Sequence, residues 1–211
     1  MDDLLNEQEQ WEQVKAWFRE NGVWIAAGVL VAALGAGGWR FYQDHVEQRA
    51  LAAVTQYEAL MQAYDRDDSA RAATLLADLE RDHAGSPYVD QAHLAAARLA
   101  VESNDLPKAA TLLRGVMEST RDPELGLVAR LRLARVQLAQ GKPDDALTTL
   151  QPVEPASAFA PAAAEIRGDA LLAKADRQGA LKAYREASAA KTAGIVDTAT
   201  LDLKIRDLAS P

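Results

Sequence analysis

Between Gly22 and Trp39 the chain runs 18 residues without a charged side chain (GVWIAAGVLVAALGAGGW), although charged residues make up 26% of the whole. As an α-helix rising about 1.5 Å per residue, this stretch reaches roughly 27 Å, close to the hydrocarbon thickness of a bilayer. A globular core helix does not need such a length. Residues 22–42 are therefore expected to form a transmembrane helix. A cleaved secretion signal would have a short basic leader, an apolar run of about 7 to 15 residues and a small-residue cleavage site. Here residues 1–21 form a long acidic leader, yet Ala33 and Gly35 could admit a peptidase, so cleavage stays open as the alternative.

Trp24 lies near one end of the stretch and Trp39, Phe41 and Tyr42 near the other, as suits rings that settle at the two membrane interfaces. Gly28, Ala32 and Ala36 recur every four residues, giving a smooth face on which another helix can approach closely. Lys15 and Arg19 on one flank are matched by Arg40 and Arg49 on the other, so charge alone assigns no orientation. In the leader, Leu4, Trp11, Val14 and Phe18 have near-helical spacing. They predict a short amphipathic helix ending before Asn21 and Gly22.

The net charge of −8 divides evenly. Residues 1–21 carry six acids against Lys15 and Arg19, a sum of −4, which leaves −4 for the remainder. Neither part is basic, which sets nucleic acid aside as a partner. The absence of cysteine excludes disulfides, thiol catalysis and thiolate metal sites.

Beyond the span the chain is rich in alanine and leucine and is punctuated by Gly or Pro, which predicts an all-α domain. Four segments align on one alanine: DDSARAATLL, NDLPKAATLL, GKPDDALTTL and ADRQGALKAY, with Ala72, Ala109, Ala146 and Ala180 in register at spacings of 37, 37 and 34 residues. A turn, a small residue and a larger side chain four positions on (Leu76, Leu113, Leu150, Tyr184) resemble the tetratricopeptide repeat. Ala97, Ala134 and Gly168 match further small positions of that repeat, although its early aromatic is missing. The expected architecture is a transmembrane helix followed by a solenoid of about four helical hairpins. Helices are expected near 44–64, continuous with the span, and near 69–83, 88–103, 106–118, 124–140, 143–151, 160–175 and 177–190. A capping helix near 195–208 would place Leu201, Ile205 and Leu208 on one face.

Reactive constellations are missing. His45, His83 and His93 have no metal-ligand spacing, no serine sits in a Gly-x-Ser-x-Gly elbow, and no phosphate-cradling glycine loop occurs. Asp67-Asp68 and Asp144-Asp145 open helices, where acids cap the backbone and complement its dipole. No catalytic residue, metal or cofactor is expected. A hairpin solenoid offers instead a concave face lined by the first helix of each repeat. The period points Tyr57, Met61 and Tyr64 inward, then Leu94, Arg98 and Val101, then Leu131, Arg135 and Leu138. Apolar positions with two guanidinium groups suit an amphipathic or extended peptide bearing an acidic group. The same leucines also suit a core, with the arginines merely solvated.

The acidic leader, a span ending in GWRFY, the run ARLRLARVQLAQGKPDDALTTL at 129–150 and EIRGDALLAKADRQGALKAYREA at 165–187 together resemble the YfgM family. These are ancillary subunits of the bacterial SecYEG translocon. The resemblance covers essentially the whole chain. It implies a non-enzymatic interaction scaffold in the inner membrane, with the leader (1–21) cytoplasmic, the span at 22–42 and the repeats (43–211) periplasmic. It also implies contact with the translocon, with the membrane-anchored chaperone PpiD and with translocating polypeptides. A cleaved, soluble repeat adaptor in cell-envelope assembly is the alternative.

Overall fold

The computed structural model describes residues 3–189 and 197–209, all-helical apart from turns. Two compact units divide at Val54 and Thr55.

The first unit is dominated by α1 (Asp3–Asp65), whose last turns, from Thr55, belong to the second unit. The predicted break at Asn21 and Gly22 is absent, so the leader and the apolar stretch form one helix rather than two. Neither residue takes a positive φ, and the Asn21 amide donates to the Trp17 carbonyl at 3.0 Å, keeping the side chain on the helix instead of ending it. An apolar environment favours this outcome, because a helix satisfies every backbone group internally. The most apolar 18-residue window of α1 has a mean hydropathy of 1.7, and none of it is buried. Val23, Trp24, Val29, Leu34, Trp39 and Phe41 are all well exposed. A long, apolar and exposed helix of this kind is consistent with a membrane anchor.

The second unit stacks α2 (Ser69–Asp82), α3 (Pro87–Glu102), α4 (Leu106–Ser119), α5 (Pro123–Ala139), α6 (Pro143–Leu150), α7 (Ala160–Ala173), α8 (Arg177–Ala189) and α9 (Thr198–Ala209). The expected end of the eighth helix at 190 and start of the ninth at 195 lie outside the described residues. The repeat is visible in the backbone. Asp67, Asn104, Gly141 and Ala175, the first residues of the four aligned segments, all adopt φ between 57° and 73°. At each, two bonds close the preceding helix in the same way, as in Asn104 N–H to Val101 O and Asp105 N–H to Ala100 O. This is the left-handed stop that satisfies the last carbonyls of a helix. The next residue then starts the following helix: Asp68, Asp105 and Asp176 accept from the backbone N–H three positions on, at 3.1, 3.2 and 2.9 Å. Lys142, at the same position of the third turn, makes no such bond.

The aligned alanines Ala72, Ala109, Ala146 and Ala180 are at most 1% exposed, so each lets a neighbouring helix approach closely. Leu113, Leu150 and Tyr184 are buried four positions later, while Leu76 is only half-buried. At the last repeat, a Cβ on Gly168 would collide with the Tyr184 ring. Leu201 of α9 is fully buried against Ala180 and Tyr184, with Ile205 and Leu208 beside it, which makes α9 the cap of the stack.

Candidate functional site

α3, α4 and α5 enclose a groove of about 370 Å³. Its floor is apolar, from Leu94, Ala97, Val101, Leu106, Leu113 and Val136, and its rim carries Arg98, Arg132 and Arg135. The 37-residue period explains the pairing of two of these, since Arg98 on α3 and Arg135 on α5 occupy one repeat position. Arg132 joins them because residues three apart share a helix face. Arg98 reaches Glu102 at 3.4 Å, in a pair exposed to water and therefore weak. Among the described residues, Arg132 and Arg135 have no carboxylate partner. Two unpaired guanidinium groups beside an apolar floor can seat an apolar side chain and fork onto a carboxylate.

Leu94, Arg98, Val101 and Arg135 thus line one groove. The other expected site residues lie elsewhere. Leu131 is 5% exposed, in a core with Ala146, Leu150 and Ile166, and half-buried Leu138 packs on that core. On α1, Tyr57 leans against Tyr88 with ring centroids 5.7 Å apart, and Met61 is half-buried. Tyr64 lines a different cleft, beside α2 and α3. Gly28, Ala32 and Ala36 are exposed on α1, with nothing within 4 Å of a Cβ placed on Gly28. Sequence reasoning missed Arg132, whose counterpart 37 residues earlier is Ala95; its three-residue spacing from Arg135 was the available signal.

A polar cluster secures the far end of the stack. Lys204 of α9 donates to Glu165 at 3.0 Å and to Asp169 at 2.8 Å, and the Tyr184 hydroxyl donates to Asp169 at 2.7 Å. Burial pushes the Tyr184 hydroxyl well above the usual phenol range, and the Asp169 bond adds to it. Burial works against the charged form of Lys204, but its bonds to Asp169 and Glu165 prevail and hold it above the usual lysine range. His93 pairs with Glu80 at 2.6 Å between α3 and α2. Among the described residues, no group of three or more His, Asp or Glu side chains could hold a metal ion.

Stacked helical hairpins with a recurring left-handed turn, preceded by a long exposed apolar helix, define a tetratricopeptide-type repeat protein with an N-terminal anchor helix. The family model described as a tetratricopeptide repeat-like domain matches residues 15–210. An ancillary SecYEG translocon subunit from Escherichia coli (strain K12) is 36% identical over 186 residues, covering 87% of this chain and 88% of its own. The subunit of the same name from Aggregatibacter actinomycetemcomitans is 31% identical over 97% of this chain and 98% of its own, and that from Neisseria gonorrhoeae 30% identical over the same shares. The chain belongs to this YfgM family of ancillary SecYEG translocon subunits, which are non-enzymatic.

Proposed function

We propose that this chain is a single-pass subunit of the SecYEG translocon in the bacterial inner membrane, and that it holds translocating polypeptides for periplasmic chaperones. Residues 22–42 anchor it, the leader (1–21) lies in the cytoplasm and the repeats (43–211) face the periplasm. The family relationship supports the translocon assignment, and the same resemblance suggests PpiD as the neighbouring chaperone. The small-residue face of Gly28, Ala32 and Ala36 suits close packing against a translocon helix.

The observation that carries the binding role is the groove between α3 and α5, where Arg132 and Arg135 stand unpaired above an apolar floor. It fits an acidic amphipathic or extended polypeptide segment. Anchoring makes weak binding sufficient, because a groove held beside an exit channel meets its ligand at a high effective concentration. Photocrosslinkers at Arg98 and Arg135 should trap translocating chains or the chaperone, and crosslinkers at Gly28 and Ala32 should trap a translocon helix. Deleting residues 1–42 should abolish co-purification with the translocon while leaving peptide binding unchanged. Full co-purification of the truncated protein would refute the role of the anchor.

A further inference from the structure

A second cleft, of about 450 Å³, opens where α2 meets α3, and its charge is opposite to that of the arginine groove. The repeat register explains why it is open. Thirty-seven residues further on, the equivalent seam between α4 and α5 is filled by Leu133, which is 1% exposed, and by partly buried Met117. Their counterparts in the first seam are Ala96 and Glu80. Removing that apolar volume leaves α2 touching α3 at few positions, whereas α4 and α5 pack along their length. Ala73 is consequently exposed and Leu76 half-buried, while their equivalents Ala110 and Leu113 are buried.

The mouth of the cleft carries Asp67, Glu80 and Asp105 beside one ammonium, Lys108, with Glu80 also bonded to His93 at 2.6 Å and Asp105 capping α4. Its floor includes Ala73 and Ala77, four residues apart on α2, whose small side chains allow another backbone to come close. The Tyr64 hydroxyl beside it is held above the usual phenol range, first by burial and then by the Glu80 charge, consistent with a negative field inside.

We propose that this seam is a second docking site, which takes a basic amphipathic helix of a partner protein, with one bulky apolar side chain entering the space that Leu133 fills in the later repeat. The partner's cations meet Asp67, Glu80 and Asp105. This site is independent of the arginine groove and selects the opposite charge, so the domain can hold two different segments at once.

The absence of cysteine makes a direct test available. An environment-sensitive fluorophore on a single cysteine replacing exposed Thr74, on α2 beside the cleft but not lining it, in the full-length chain in nonionic micelles, reports occupancy. The probes are a 14-residue helical peptide of leucine and lysine and its counterpart with glutamate for every lysine, each at about 1 to 100 μM, a range that suits weak segment binding. The lysine peptide should give a saturable blue shift and bind about tenfold more tightly than the glutamate peptide. Ala96→Leu, which supplies the missing side chain, should weaken binding about tenfold or more while hydrogen exchange in α2 and α3 slows rather than quickens. Asp67→Asn, at an exposed turn position that tolerates the left-handed backbone, should weaken it about threefold, an effect erased by high salt. Arg135→Gln should change nothing. No saturable shift, equal affinity for the two peptides, or unchanged binding by the Ala96→Leu protein would each overturn the proposal.

Discussion

Helices α2 and α8 start from the same turn, with a left-handed residue (Asp67, Ala175) followed by an aspartate cap (Asp68, Asp176), and α2 packs on α3 while α8 packs on α7. The two seams end in opposite states. At α7–α8 a glycine, Gly168, faces the buried Tyr184 ring, and Lys204 ties the ring's hydroxyl partner Asp169 to α9. At α2–α3, Ala96 and Glu80 stand where the later seam has Leu133 and Met117, and a cleft remains. Turn chemistry therefore sets where a helix starts, and side-chain volume on the facing helices sets whether its seam closes. An open seam at one end and a locked seam at the other let one repeat scaffold combine a binding face with a stable base.

Truncating the locked seam should have the largest effect: Tyr184→Ala should cost about 3 to 5 kcal/mol, as large aromatic truncations in cores do. Hydrogen exchange in α7, α8 and α9 reads it out, because all four tryptophans (Trp11, Trp17, Trp24, Trp39) lie in the first unit and fluorescence would not. Gly168→Ala should cost about 1 to 3 kcal/mol by overpacking the same contact. A smaller loss there than from a similar change on α3 would mean that the two seams are alike after all. Closing the open seam sharpens the contrast from the other side, since Ala96→Leu should add about 0.5 to 2 kcal/mol of protection to α2 and α3. At the shared turn, Ala175→Gly should stabilise by about 0.5 to 1 kcal/mol, because alanine pays for a left-handed φ that glycine adopts freely.

The Lys204 and Tyr184 cluster predicts a pH effect absent at neutrality. Both groups titrate higher in the folded protein than in an unfolded chain. Their stabilisation is therefore complete below the unfolded values, about 10 for tyrosine and about 10.4 for lysine, and falls as pH rises above them. Urea unfolding between pH 8 and 11.5 should show α9 loosening first at the alkaline end, and Tyr184→Phe should reduce the slope. Equal alkaline loss in α2 and α3 would show that the cluster is not its origin.

Helix placement was legible at nearly every boundary, because each turn carries its own local code. Asp-Asp, Asn-Asp, Gly-Lys-Pro and Ala-Asp specify a stop and a start within a few residues. The break expected at Asn21–Gly22 was a local signal of the same kind, and there it lost to a helix that runs unbroken from the charged leader into the apolar stretch. The groove was legible in part. Period placed Arg98 and Arg135 on one face, but Leu94 and Leu131, also one period apart, have different surroundings: Leu94 lines the groove and Leu131 lies in the next core. Spacing states which face a residue occupies and not how far the neighbouring helix stands from it.

The linear chain therefore settled the elements, the repeat register, the apolar anchor and the family, since these depend on periodicity, caps and runs of uncharged residues that act over a few turns. Only the packed structure decided which seams closed, that Arg132 joins the rim, and that Lys204 reaches Glu165 and Asp169 across more than thirty residues. Those outcomes depend on the summed volumes and distances of side chains brought together from separate helices, and no local rule contains them.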